Sequence, residues 1–376
     1  MWRLYIEMPC EMYCEEIINR LKEETIMVSL KINGKMFDVE EGLTILEVCK
    51  DIGVEIPTFC YDKRLVPYGG CRICIVEVKG AKTFQTACTT PVYKDMEIET
   101  HSEDVISARK DILNLIWASH DNDCLTCDKA GDCRLQDYCY EYEIEAEHSP
   151  YQKVMSGKID KSNHFYQMNR DKCILCGRCI RTCSALQGLG SIGFSARGYH
   201  THIAHPFEAG MEHSTCVSCG NCVNNCPTGA LSERNRNKFR TWDIDKTVKT
   251  TCAYCGVGCQ IDLKIKGNKI LRVDPAADGV NQGLLCVKGK FAYNFVDHSD
   301  RLTTPLIRKD GKLVEATWDE AYDVIVSKMK EVKVHHGPDA LAALSSARCS
   351  TEENYMLQKL FRAVVGTNNI DHCARL

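Results

Sequence analysis

The chain has 376 residues, 44% hydrophobic and 26% charged, a globular composition with room for several domains that excludes a disordered or fibrous protein. A formal charge of -4 gives no electrostatic footprint for nucleic acid, and the basic run Arg234, Arg236, Lys238 and Arg240 reads as a solvated linker. No apolar run reaches the roughly 18 residues of a membrane helix, and no signal-peptide core or twin-arginine pair opens the chain. The expected location is cytoplasmic, where tightly spaced cysteines favour metals over disulfides.

Residues 1–26 precede the first legible element and read as an extension. Lys22-Glu23-Glu24 could be encoded by a ribosome-binding sequence, which makes Met27 the expected natural start; a native N-terminal helix is the alternative. From Met27 the pattern is a hairpin: Val28, Leu30 and Ile32 alternate, Asn33-Gly34 turns, and Phe37 and Val39 return. A short helix over 44–52, ended by Gly53, leads through Ile56-Pro57 to Cys60. Two strands, a helix and a cysteine loop suggest a β-grasp ferredoxin over 27–103. Its ligands are Cys60, Cys71, Cys74 and Cys88, and the glycines of Tyr68-Gly69-Gly70 let backbone N–H groups approach sulfur. Four cysteines suit a [2Fe–2S] centre; zinc, which also uses C-x2-C, is the competing reading.

A second unit over 104–147 opens with Ser102 as a cap and a helix carrying Val105, Ile106, Ile112, Leu113 and Ile116. That helix delivers His120 to Cys124, Cys127 and Cys133, a set of one histidine and three cysteines for a [4Fe–4S] cluster. An imidazole in place of a thiolate makes the site less negative, which favours its reduced form. Cys139, one turn on, is expected to be a packed free thiol.

The most specific pattern lies in 164–232, where Cys173, Cys176, Cys179, Cys183 and Cys216, Cys219, Cys222, Cys226 each repeat C-x2-C-x2-C-x3-C. In two-cluster ferredoxins the fourth cysteine crosses over. The expected [4Fe–4S] sets are therefore Cys173, Cys176, Cys179 with Cys226, and Cys216, Cys219, Cys222 with Cys183. Ser184 stands where the second repeat has Pro227, leaving the geometry of the first loop open. His200, His202 and His205 read as a polar connecting loop, since no carboxylate or thiolate accompanies them at helical spacing.

Residues 248–301 hold Cys252, Cys255, Cys259 and Cys286, three clustered ligands and a distant fourth for another [4Fe–4S] centre, around a hairpin turning at Gly267-Asn268. Lys288 follows the last ligand, either as a surface lysine or as a charge tuning the cluster or bridging to a neighbouring cofactor. In 302–376 the pattern becomes helix, strand, helix: Thr317/Glu320 and Ser350/Glu353 form capping boxes, Leu341 to Leu344 reads as a buried strand, and Gly366 ends the last helix. This is the incomplete start of an α/β domain, so the fold class is α+β multidomain. Nineteen of 25 cysteines are used, leaving Cys10, Cys14, Cys49, Cys139, Cys349 and Cys373 as bystanders.

This order of motifs resembles the N-terminal part of the catalytic alpha subunit of formate dehydrogenases in the molybdopterin oxidoreductase family. The resemblance covers residues 27–376 and includes the closing Asn368-Asn369-Ile370-Asp371-His372-Cys373-Ala374-Arg375-Leu376. It implies reversible formate oxidation to CO2 at molybdenum or tungsten held by two pterin guanine dinucleotides. It also places the Cys252–Cys286 cluster nearest that cofactor, with Lys288 as the link. A flavin- and NAD(P)-binding subunit or a hydrogenase is the implied partner. In such subunits this segment runs into the selenocysteine or cysteine that binds the metal. Leu376 is accordingly expected to end a gene reading at a selenocysteine codon, and the 376-residue chain to hold reducible clusters without oxidising formate; no catalytic residue is assigned within it. Three competing readings are the large iron–sulfur subunit of NADH dehydrogenase, an iron-only hydrogenase fragment and a stand-alone electron-transfer adapter.

Overall fold

The computed structural model describes residues 26–145, 156–234 and 239–373. Expectations for residues before Ile26, including Cys10 and Cys14, and for Arg236, Lys238 and the closing Ala374-Arg375-Leu376 lie outside the described residues. The chain divides into two compact units, one of Met1–Ser162, Gln167–Thr215 and Asn225–Ser232, the other of Asn163–Tyr166, Cys216–Asn224 and Glu233–Leu376.

In the first unit β1 (Met27–Ile32) and β2 (Lys35–Glu40) pair antiparallel, Val28 against Val39 and Leu30 against Phe37. The tight turn between them needs two left-handed residues, and Asn33 (φ 47) and Gly34 (φ 81) supply them. β3 (Ile75–Val78), β4 (Gln85–Thr86) and β5 (Glu97–Glu99) complete a sheet of order β2-β1-β5-β3-β4, with β5 parallel to β1. Helix α1 (Ile45–Asp51) packs Ile45, Val48 and Cys49 with Leu30, Ile32, Val76 and Ile98. The Thr44/Glu47 capping box at its start satisfies donors the sequence reading had not paired.

Helix α2 (Glu103–Ala118), capped by Ser102, and α3 (Arg134–Glu141) build a second core in the same unit. That core gathers Phe59, Cys60, Ile73, Leu113, Cys133, Leu135, Tyr142 and Cys176. Cysteines from three expected ligand sets thus share one dry cluster. β6 (Ile159–Asp160) pairs with β7 (Tyr166–Asn169), helix α4 (Arg178–Arg181) continues into a π-helical turn at Thr182–Leu186, and β8 (Gly193–Ser195) pairs with β9 (His202–Ala204). β10 (Leu231–Glu233) adds to β7. The segment holding His200, His202 and His205 is therefore part of a hairpin and not simply a polar loop. His205 is 4% exposed with Nδ1 on the Ser191 carbonyl, and His202 does have a carboxylate partner, Glu208 at 2.8 Å. The three imidazoles have separate neighbours, so the sequence reading erred on burial and not on the absence of a shared ligand set.

The second unit contains α5 (Asn221–Asn225), whose last residue belongs to the first unit, and an antiparallel sheet β11 (Lys246–Thr251), β12 (Gln260–Lys266) and β13 (Lys269–Pro275). Helix α6 (Val287–Phe291) starts directly after Cys286. β14 (Leu306–Lys309) and β15 (Lys312–Glu315) form a hairpin; α7 (Trp318–His336), β16 (Ala343–Ser346), α8 (Thr351–Lys359) and β17 (Ile370–Cys373) follow, with β16 and β17 parallel. Both expected capping boxes form, and Gly366 closes the last helical turn at φ 89. The strand begins two residues later than Leu341 and is buried on one side only: Ala343 is 9% and Leu344 83% exposed. A small core of Ala343, Phe361 and Val365 holds this segment, while Ile325, Val334 and Val364 face solvent. Limited proteolysis of the purified chain is expected to cut within 301–376 first, because sparse burial lowers the cost of local opening; equal resistance of the preceding residues and this segment would contradict it.

Candidate iron–sulfur centres

The Cys60, Cys71, Cys74 and Cys88 thiols converge in the first unit, with Cys74 and Cys88 sulfurs 3.4 Å apart. Cys60, Cys74 and Cys88 are each 1% exposed. Hydrogen bonds from Cys71 and then Cys88 hold the Cys60 thiol far below its usual range, while Cys71 and Cys88 are pushed up chiefly by bonding to Cys60. Backbone N–H groups of Gly70 and Cys71 also favour the Cys60 thiolate. The loop curls through left-handed Gly69 (φ 64) and Arg72 (φ 61), and a Cβ on Gly70 would lie 2.2 Å from the Tyr68 ring. Arg181 of α4 lies 5.1 Å above that ring and donates to the carbonyls of Cys60 and Val66.

His120 follows α2 directly after its C-cap Ser119 and is 6% exposed. Burial, then the Lys172 charge, lowers its pKa to about 4, so the imidazole is neutral, and its buried Nδ1 has no hydrogen-bond partner among the described residues. A neutral ring with an unpaired nitrogen suits a metal ligand. Cys133 is pushed up to about 11 by burial, with the Cys127 charge also raising it, and Cys124 is raised by burial and then by Cys127. Cys139 is buried beside them at about 12, raised by burial and then by Cys133 and Cys124. Gly229 explains how the Cys127 loop fits, since a Cβ there would sit 2.6 Å from the Cys127 sulfur. Gly229→Ala is expected to cost about 1–3 kcal/mol of stability by forced overpacking, and to distort or delete the His-ligated centre in electron paramagnetic resonance (EPR); an unchanged spectrum and stability would refute this.

Cys173, Cys176, Cys179 and Cys226 line one small cavity, open in part to solvent, together with Pro227 and Thr228. Burial, then the Cys226 charge, raises Cys176 to about 12. Leu175 N–H points at the Cys173 sulfur, 3.4 Å away, and the second repeat does the same from Ser218 to Cys216 at 3.4 Å. Leu175 (φ 54) and Gly177 (φ 68) match Ser218 (φ 55) and Gly220 (φ 76), so the duplicated spacing is also a duplicated loop conformation. Ser184 lies in the π-helical turn, and Ser191 N–H reaches the Cys183 sulfur at 3.3 Å. Cys183 belongs to the first unit and Cys216, Cys219 and Cys222 to the second, where the Tyr166 hydroxyl lies 3.3 Å from the Cys216 sulfur.

Within the second unit, Cys252 and Cys259 join through a 2.8 Å backbone hydrogen bond. Burial and then the charges of the other thiols, Cys255 and Cys286 among them, raise both. Lys288 is exposed on α6, whereas Lys290 is 1% exposed and bound by Glu233 at 2.8 Å, Asp274 at 3.2 Å and the Val273 carbonyl at 2.6 Å. Asn221, also buried, makes a two-way amide contact with the Leu285 backbone at 2.9 and 3.0 Å. Sequence reading missed Lys290, because Lys288-Gly289-Lys290 carries no periodic signal separating the buried lysine from the exposed one. It also missed Arg109, although Val105, Arg109 and Leu113 share a helix face at i, i+4 spacing.

Thiol sets in loops that aim N–H groups at sulfur, one with a neutral imidazole, fit iron–sulfur clusters. The fold and these loops define an iron–sulfur electron-transfer polypeptide. Five family models match in sequence: a 2Fe-2S iron-sulfur cluster binding domain at 25–103 and the NADH-ubiquinone oxidoreductase-G iron-sulfur binding region at 109–148; the ferredoxin-like domain of NADH-quinone oxidoreductase subunit 3 at 164–232; and the molybdopterin oxidoreductase Fe4S4 domain at 245–298 and molybdopterin oxidoreductase at 301–376. The chain is 37% identical to the second G-type polypeptide of the NADH-quinone oxidoreductase of Rhizobium meliloti (strain 1021), over 93% of itself and 40% of that protein. It is 35% identical to the alpha subunit of NADPH-Fe(3+) oxidoreductase of Geobacter sulfurreducens, with the same coverage. It is 33% identical to a protein provisionally named formate dehydrogenase in Staphylococcus haemolyticus (strain JCSC1435), over 94% of itself and 39% of that protein. A solved chain of NAD+-reducing [NiFe]-hydrogenase aligns with TM-score 0.53 and 26% identity over 57% of this chain and 90% of that one. The chain thus carries, one after another, regions that match iron–sulfur domains of NADH-quinone oxidoreductases and the Fe4S4 and molybdopterin domains of molybdopterin oxidoreductases, and it spans about 40% of the length of these curated relatives. Among the described residues no helix is long and apolar enough to cross a membrane.

Proposed function

We propose that this chain is the iron–sulfur portion of a formate dehydrogenase alpha subunit, carrying electrons between formate/CO2 chemistry and a partner subunit that binds flavin and NAD(P), or a hydrogenase. The observation that carries this is the succession, in one chain, of two complete ferredoxin repeats, the Cys252–Cys286 loop and a molybdopterin-domain start whose β17 holds Asp371 and His372. On this reading the sets are Cys60, Cys71, Cys74, Cys88; His120, Cys124, Cys127, Cys133; Cys173, Cys176, Cys179, Cys226; Cys216, Cys219, Cys222, Cys183; and Cys252, Cys255, Cys259, Cys286. The clusters supply one-electron chemistry and the pterin-bound metal the two-electron step. The protein's own part is to hold the thiolates, direct N–H groups at them and keep the shared core around Cys60, Cys133 and Cys176 dry. Lys288 is proposed as the link between the last cluster and the molybdopterin.

The second reading is the large iron–sulfur component of an NADH-quinone oxidoreductase, favoured by the 37% identical relative. EPR of the native assembly, isolated with its partners and frozen after addition of formate, NADH or hydrogen, separates the two. Formate-dependent cluster signals are expected; reduction by NADH with none by formate would replace the first reading with the second.

A further inference from the structure

Arg109 is fully buried, 0% exposed, inside the first unit. Its guanidinium donates to the Tyr142 hydroxyl at 3.0 Å and the Ile75 carbonyl at 2.8 Å, both neutral, and its Nε has no hydrogen-bond partner among the described residues. A buried cation without a carboxylate is costly enough that some other negative charge must offset it. Besides Tyr142, the titratable groups Cys49, His101 and Glu141 feel its charge. Cys49 is raised to about 11 by burial, more than Arg109 lowers it, so it stays a neutral thiol. His101 is lowered by burial and then by Arg109, and is no counter-ion. Glu141 feels Arg109, but it is an exposed residue that makes no hydrogen bond to the guanidinium among the described residues, so water screens the pair. The carbonyl that Arg109 holds belongs to Ile75, the residue directly after the cluster ligand Cys74, so the guanidinium is anchored on the chain segment that carries this ligand.

We propose that Arg109 is the buried counter-charge of the Cys60, Cys71, Cys74 and Cys88 cluster, a positioning residue that holds the cluster's reduction potential up. The proposal rests on the ligand reading given above. Reduction adds one electron and no proton to such a site, so its negative charge grows, and a fixed cation nearby stabilises the reduced form. Tyr142 and Ile75 hold the guanidinium in place, and low local dielectric keeps its field unscreened.

The test is an EPR-monitored redox titration of the full chain with its clusters, as wild type and as R109K, R109Q and R109M. Methionine fills similar volume without charge, a replacement that cores tolerate well. The [2Fe–2S] midpoint is expected to fall in R109Q and R109M, to stay near wild type in R109K, and to leave the Cys252–Cys286 cluster unmoved. An unshifted midpoint in R109M, or R109K falling as far as R109Q, overturns the proposal. A wild-type chain that binds iron but gives no [2Fe–2S] signal overturns the ligand reading, and the proposal with it.

Discussion

Lys290→Ala is expected to destabilise the second unit by about 3–5 kcal/mol, since it leaves Glu233 as a buried carboxylate without its cation and leaves Asp274 with Arg272 alone. Lys290 is 1% exposed and Glu233 8%, so water does not replace the lost contact. The damage also reaches cluster loops. A Cβ on Gly220 would lie 3.0 Å from the Lys290 side chain and 2.7 Å from the Phe291 ring, so α6 packs tightly on the Cys219–Cys222 loop. Urea unfolding, followed by the absorbance of the Cys252–Cys286 cluster, measures the effect. A change below about 1 kcal/mol, the scale of an exposed ion pair, would show the network to be dispensable. Lys290→Met combined with Glu233→Gln should recover part of the loss, because removing several charges together avoids the stranded ones. A pH dependence follows from Asp274. Burial alone would raise its carboxyl, but Lys290 and Arg272 overcome that and hold it below the usual range. A depressed folded pKa contributes stability above the unfolded value, near 3.9, and loses it as pH falls through the lower folded value. The gap between wild type and variant should therefore narrow in acid, and a gap constant down to pH 2 would contradict it.

Cys226→Ala is expected to remove the cluster of the first ferredoxin repeat, lowering bound iron by about four atoms per chain, while the second repeat keeps its EPR signal. Cys226 follows the second run in sequence, but it lines the cavity with Cys173, Cys176 and Cys179. Its charge is also the largest electrostatic influence on Cys176 after burial. Loss of the second repeat's signal instead would mean that the fourth cysteine does not cross over. Cys183→Ala is the reciprocal control and should spare the first repeat.

Much of this was legible because metal ligation is written in local spacing. C-x2-C places two sulfurs on one turn, and duplicated spacing gave duplicated left-handed positions at Leu175, Gly177, Ser218 and Gly220. The Asn33-Gly34 turn and the boxes at Thr317 and Ser350 were readable for the same reason, since each is settled within four residues. His205 and the edge of β16 were misjudged, because burial depends on which strand a segment pairs with.

The sequence by itself determined the cysteine spacings, the repeated loop conformation at Leu175 and Ser218 and the order of secondary elements around them, all products of short-range geometry. Tertiary structure alone decided that Cys60, Cys133 and Cys176 share one core, that Lys290 and not Lys288 is buried, and that Arg109 lies inside with no carboxylate hydrogen-bonded to it among the described residues. The physical reason is that burial and charge compensation are set by residues far apart in the chain, such as Glu233 with Lys290 and Ile75 with Arg109, which no local pattern brings together.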